Sequence, residues 1–540
     1  MGSHLWSKLF CALVILAVFA GCARRQTAVQ QGNREQVLYR GLGYEISGLD
    51  PQLASGLSEY GVISALFEGL VAEDPTDLHP VPGVAESWEI SSDGLVYTFH
   101  LRSDAKWSND DSVTAQDFVD SWRRALAPSL AAPDASMLYV VRGAEDFNRG
   151  RWGDFSGVGV AAPDAHTLQV TLAQPTPQFP AMLCHPIWLP VHLRSIAAYG
   201  PPDARGNPWA QPGRLVGNGP FVLKSWRPGQ EIVVEKSPNY WDAARVRLQA
   251  IHFFPFDSVD AAERAFRAGQ LHLTDTLPVG KIDAYRHGSP QFLRTDPVLD
   301  TYFFRLNVRR PPLKDERVRR ALSLAIDRQV IVDKILRGGQ QPATSFTPPG
   351  LPGYTPPTAV TTDFAAARQL LAEAGHPGGK GLPPLELLYN TSENHRVVCE
   401  AVQEMWRREL GLDVRLVNEE LKVVLADRQA GNYQILLYDW QADYLDPGSF
   451  LAVWRSDNGN NNTGWSSPDY DHLLDEAGRT ADPAGRAGLF QQAERLLLDA
   501  APVVPLYFNT HVFLLQPSVK NWHPTLLDHH PYKYVYLDGN

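Results

Sequence analysis

The chain has little sulfur. Four cysteines and four methionines are spread over 540 residues, and no two cysteines form a CxxC pair. That excludes the disulfide-dense scaffolds of small secreted domains and the common zinc-ribbon frameworks. No HExxH, GxSxG or GxxxxGK[ST] occurs, so the main metalloprotease, hydrolase and P-loop signatures are missing. The glycine-rich AGHPGGKG (374–381) has the wrong spacing, and no strand feeds it; it reads as a helix C-cap followed by a loop. Basic residues number 49 against 60 acidic ones, a formal net charge of −11. That balance argues against nucleic acid or an anionic membrane surface as the main partner. After the first 21 residues no apolar run is long enough to cross a bilayer.

What is present points to a large exported protein. A chain of 540 residues is too long for one compact core, so two or three domains are expected. Hydrophobic residues make up 44%, with fourteen tryptophans, a supply that suits wet binding clefts as well as cores. Lys8 precedes the short apolar run LFCALVILAVFAG, which reads as a signal peptide over 1–21. VFAGC then resembles a bacterial lipobox, with Phe19 where leucine is usual, and Cys22 as the lipidated residue. Residues 22–36 are polar and read as a tether, with order beginning at VLYRGLGYEI. Cys184 and Cys399 remain, expected as buried free thiols.

Strand-like and helix-like segments interleave along the chain. LVYTFHLR alternates as a strand. TAQDFVDSWRRALAP reads as a helix with Thr114 as N-cap. KDERVRRALSLAIDRQVIVDKILRGG reads as one long amphipathic helical region, and TPPGLPGYTPPTAV as a loop. The stretch 384–418 is a βαβ unit: PLELLYN, a helix closed by Gly411, then DVRLVNEE. YQILLYDW follows as another strand. If these strands are parallel in one sheet, His395, Asp439 and Asp443 share the rim where ligands collect.

YDWQADYLDPGSF (438–450) concentrates chemistry. Asp439, Asp443 and Asp446 stand among Trp440, Tyr444 and Phe450. Their spacing does not fit a calcium loop, and no metal site is expected. Buried carboxylates need a positive partner or several donors. No lysine or arginine lies within the stretch, so the partner is distant in sequence or arrives with a ligand. The adjacent His529 and His530 are expected to be surface residues.

Several segments together resemble the periplasmic oligopeptide-binding proteins, the family 5 solute receptors that feed ABC importers. They are LDPQLASG (49–56), LFEGLV (66–71), the block at 79–126 containing KWSNDDSVTAQDF, GNGPFVL (217–223), SPNYWD (237–242), DERVRRALSLAIDR (315–328), LLYNTSENH (387–395) and YDWQADYLDPGSF. The resemblance implies an α/β, two-lobed binding protein with mixed sheets, an added domain and a cleft between the lobes. Lobe I would comprise 37–67, 198–299 and 509–540, the inserted domain 68–197, and lobe II 300–508. The strands crossing between lobes are expected near 299–301 and 507–510.

The resemblance also implies a site. Asp443 would grip the ammonium of a peptide ligand, with Tyr438, Trp440, Gln441 and Ala442 around it and Ser55, Gly56 and Leu57 across the cleft. His395 and Arg428 would serve the ligand's carboxylate. Two further basic positions of the family are Leu437 and Leu336 here, with Arg337 beside the latter. The implied partners are an oligopeptide and an ABC permease, with the membrane engaged through a lipid anchor, no nucleic acid and no cofactor. The implied location is the periplasm or cell envelope, as a monomer without enzymatic activity. The alternatives are the same fold binding a murein peptide, an oligosaccharide or a metal chelate, and a secreted hydrolase using Asp439 and Asp443.

Overall fold

The computed structural model describes residues 26–54 and 56–539. The signal segment, Cys22 and Ser55 lie outside the described residues. Order begins before Val37. A helix spans Ala28–Glu35, capped by Thr27 and Gln30 in a reciprocal box. The Val29 N–H donates to the Gly269 carbonyl at 3.0 Å, and His272 bonds Asn33 at 3.0 Å. Residues 28–35 are therefore not a tether: a polar helix docks through the buried Val29 and Gly32.

The first sheet starts with β1 (Val37–Leu42). The chain then leaves it for a separate antiparallel sheet of β2 (Ala85–Ile90), β3 (Val96–Leu101), β4 (Val160–Asp164) and β5 (Thr167–Thr171), ordered β2-β3-β5-β4. It returns as β6 (Phe221–Arg227), β7 (Glu231–Lys236) and β8 (Ala250–Pro255), giving β1-β8-β7-β6 with β1 parallel to β8. A six-stranded mixed sheet follows. It contains β9 (Leu293–Leu306), β10 (Leu385–Asn390), β11 (Val414–Glu419), β12 (Ile435–Gln441), β13 (Val503–Leu514) and the short strand Gln341–Pro342. Its order is Gln341–Pro342, β13, β9, β12, β10, β11.

Each sheet has its own core. Leu38, Val62, Leu66, Phe221, Ile251 and Phe253 pack in the first, joined by Phe513 and Tyr532 from the end of the chain. Phe99, Trp107, Phe118, Trp122 and Trp188 fill the second. Leu189, Val191 and Ile196 pack with the first sheet, so that core begins before residue 198. The six-stranded sheet is covered on both sides, as its alternation requires: Phe303 faces Phe346 and Trp454, while Phe304 faces Trp406.

Local signals act as the sequence implies. Asp117 accepts from the Thr114 N–H at 2.7 Å at the start of Ala115–Ala125. β10, the helix Glu393–Leu410 and β11 form a parallel βαβ unit, and Gly411 closes the helix at φ 68°. One reading changes. The long helical region at 314–339 is broken after Glu316–Leu324, and Asp327 caps a second, irregular segment. The buried Arg328 bonds the carbonyls of Ser323, Ile326 and Pro505, which pins the break.

β9 and β13 are the longest strands and pair with each other. Their register shifts between Pro297 and Thr301. The early half of β9 meets the end of β13 beside the first sheet, and the later half enters the six-stranded sheet.

A buried ion pair joins the helix Ala115–Ala125 to the segment that precedes Leu57–Leu66. Arg124 donates to both oxygens of Asp50 at 2.6 and 3.2 Å and to Gln52 at 2.6 Å. Trp209 adds an N–H to Asp50 at 3.2 Å. Removing one partner of a buried pair strands the other, at about 3–5 kcal/mol. Arg124→Ala should therefore lower unfolding stability in denaturant titrations by roughly that amount. Adding Asp50→Ala should cost less than the two single changes summed, and strict additivity would contradict the pairing.

Candidate ligand cleft

A cavity of about 430 Å³ lies between the lobes. One face of β9, β12 and β13 forms its floor. Val298, Asp300 and Tyr302 alternate along β9, Asp439 and Gln441 along β12, and Tyr507 and Asn509 along β13; all line the cavity. Arg40, Tyr60 and Asp275 close it from the first lobe, Glu73 and Cys184 from the inserted domain, and Asp528 and His529 from the last segment.

The period of two decides which expected residues reach it. Gln441, His395 and Leu57 line the cavity. Tyr438, Trp440 and Ala442 have the other parity. They pack with Phe303, Phe450 and Trp454 on the core side, so their side chains are scaffold. Trp440 donates to the Ser449 carbonyl at 2.8 Å, and the Ala442 N–H to Leu299 at 2.8 Å. Arg428 is also off the lining, its guanidinium 4.7 Å from the Tyr438 ring centre. Gly56 caps the helix Leu57–Leu66, where a side chain would collide with Tyr44 and Glu59.

The three acids of 438–450 have different fates. Asp446 is partnered from a distance by Arg486, which donates to both oxygens at 2.6 and 2.9 Å. Asp443 is half-buried just beyond the cavity lining, and its backbone N–H donates to Ser449 Oγ at 2.7 Å. Among the described residues no lysine or arginine pairs with it. Burial, then the nearby charge of Asp134, pushes its carboxyl up to about 7, while Ser449 and His529 pull the other way. Asp439 is half-buried on the floor, and burial raises it to about 6.

Cations in the cleft are few and engaged. Lys533 pairs with Glu68 at 3.2 Å, and Arg40 bonds the Tyr532 hydroxyl. Leu336 lines the cavity, Leu437 lies in the core, and Arg337 is paired with Asp283. His395 stands edge-on to Tyr302, with Nδ1 unpartnered. Burial lowers it to about 4, leaving a neutral imidazole. His529 and His530 are not surface residues. They line the cavity and bond Glu73 at 2.8 Å and Asp528 at 3.0 Å. Cys184 and Cys399 are free thiols. Asp74, Asp77 and His79 place metal-ligating atoms within 4.8 Å of one another, on a turn outside the lining.

The family model for bacterial extracellular solute-binding proteins, family 5 (Middle), matches residues 79–462. The chain belongs to this family. The family 5 member is 37% identical to the periplasmic oligopeptide-binding protein OppA of Escherichia coli, over 95% of each chain. It superposes on the E. coli murein tripeptide binding protein MppA with a TM-score of 0.85, at 35% identity over 93% of this chain and 98% of that one. The unliganded open form of MppA gives 0.71 at the same identity, over 93% and 97%. With sequence and coverage matched, the drop shows that the arrangement here differs from that open form.

Sequence reasoning missed Asp300 and His511. Asp300 sits in a β9 run without a motif. His511 becomes significant through Asp528, 2.9 Å away. That pair, buried at the cavity wall, raises His511 to about 9 and holds Asp528 below the usual carboxylate range. His511 therefore stabilises the fold fully below its ordinary value near 6.5 and loses that contribution as pH rises through 9; Asp528 contributes above about 3.9. His511→Gln should lower the melting temperature most between about pH 4 and 6.5, by roughly 3 kcal/mol of stability. The gap should narrow above pH 9, and a pH-independent gap would contradict the ion pair.

Proposed function

We propose that this chain is an extracytoplasmic receptor that encloses oligopeptides in the inter-lobe cleft and hands them to an ABC import permease. It would act as a lipid-anchored monomer in the periplasm, with Cys22 as the anchor and no bond made or broken. Lobe I would be 37–67, 198–299 and 509–540, with the helix 28–35 and residues 189–197 added to it by their packing, and lobe II would run from 300 to 508. The observation that carries this reading is the Asp443 carboxylate, held partly out of water with no lysine or arginine paired to it among the described residues. A peptide ammonium supplies the missing charge. Close pairs of this kind couple by roughly 1.5–7 kcal/mol.

The backbone beside it supports the same ligand. β12 pairs with β10 at Ile435 and Leu436 and with β9 along its other edge. Residues 437–441 thus leave one edge open where a peptide adds as a strand. Backbone pairing ignores side-chain identity, which fits a receptor for varied sequences. Ligand contacts to both lobes favour the closed arrangement by population shift.

Calorimetric titration with a tripeptide pool at pH 7.5 tests the clamp. Asp443→Ala should weaken binding by about tenfold or more and leave the fold intact. The carboxyl is raised in the folded protein, so its ionisation opposes folding, fully so above pH 7. Asp443→Asn should therefore raise the melting temperature of ligand-free protein at pH 8 and lose that gain by pH 4. Unchanged peptide affinity in Asp443→Ala would overturn the assignment.

A further inference from the structure

The floor of the cleft holds a second uncompensated acid pair, apart from Asp443. Asp300 of β9 lies opposite Gln441 of β12, and Asp439 lies opposite Tyr302. The two aspartates are thus diagonal neighbours on one sheet face, and both line the cavity. Asp300 is 5% exposed. Its Oδ2 accepts from Asn509 at 2.9 Å, and its Oδ1 has no partner. Among the described residues no lysine, arginine or histidine forms an ion pair with either carboxylate. Arg428 is the cation nearest in effect on Asp439, but it stacks on Tyr438, whose side chain leaves the opposite face of the strand. The other groups around the pair, Tyr302, Tyr507 and a neutral His395, bring no charge to neutralise it. Burial raises both carboxyls, and the charge of Asp439 raises Asp300 further, as expected of acids that lack a counter-ion.

We infer that Asp300 and Asp439 form a second cation subsite, which holds a basic side chain of a peptide whose N-terminal ammonium sits at Asp443. The inference rests on the receptor reading above and narrows its ligand to peptides with two positive groups. Spacing suits this. Four positions separate Asp439 from Asp443; β12 ends at Gln441 and the chain bends beyond it, so the two lie at most roughly 13 Å apart at the strand rise. A lysine at the second or third position of an extended ligand bridges that interval.

Calorimetry at pH 7.5 with Ala-Lys-Ala and Ala-Ala-Lys, each against its norleucine counterpart, tests the subsite. In the wild-type protein one lysine peptide should bind roughly tenfold or more tighter than its norleucine partner. In Asp300→Asn/Asp439→Asn that ratio should fall to near one. Melting curves establish that the variant is folded, and the half-buried Asp439→Asn alone serves if the double variant is not. Equal affinities for lysine and norleucine peptides in the wild type would overturn the subsite and leave the receptor reading standing. So would a lysine advantage that survives the substitutions. If no peptide binds the wild type, the receptor reading falls and the subsite with it.

Discussion

A carboxylate taken out of water must meet a positive charge, take up a proton or remain at a cost. Asp443 is in that position just beyond the cavity lining: among the described residues no lysine or arginine pairs with it, and His529, which lowers it, is already bonded to Glu73. The fold around it is arranged to keep it so. Ser449 fixes the backbone at 443, Trp440 locks the preceding turn against the core, and Tyr444 packs against the inserted domain.

The contrast with the other buried acids gives this weight. Asp50 has Arg124, Asp446 has Arg486, Glu68 has Lys533 and Asp528 has His511. Each of those pairs joins distant parts of the chain, and each acid is satisfied. Asp443, Asp300 and Asp439 have no such partner: Asp300 and Asp439 line the cavity, and Asp443 lies just beyond it. The buried Glu494 also lacks a cation, but it accepts from the Phe346 and Thr347 N–H groups and the Tyr354 hydroxyl. The acids in and beside the cleft are thus placed to receive positive charge from outside. The same features place the cost in the ligand-free closed state, so a ligand that neutralises them shifts the lobes toward closure.

Much of this was legible in the sequence. The βαβ unit, the Thr114 cap and the placing of His395 and Asp439 at one cavity follow from local pattern, because helix and strand periods leave a direct trace. Most segments carrying the family resemblance turn out to be scaffold. Glu68 of LFEGLV is tied to Tyr240 and Trp241 of SPNYWD at 2.5 and 2.6 Å. The parity of β12 was also available in principle: alternation from Asp439 and Gln441 sends Tyr438, Trp440 and Ala442 to the core. The helix at 28–35 was signalled by Thr27 and Gln30 but masked by its polarity. Partners such as Arg486 and Asp528 were not legible, since nothing local links residues 40 or 17 positions apart. Asp300 drew no notice because its meaning depends on the register of β9 against β12.

The central claim is that the cleft reads a free amine. It is tested most directly by titrating the wild-type protein with one tripeptide and with the same tripeptide acetylated at its N-terminus. Acetylation removes the cation and leaves the backbone that would pair with β12. The account predicts that the acetylated peptide loses most of its affinity; equal binding of the two would contradict it.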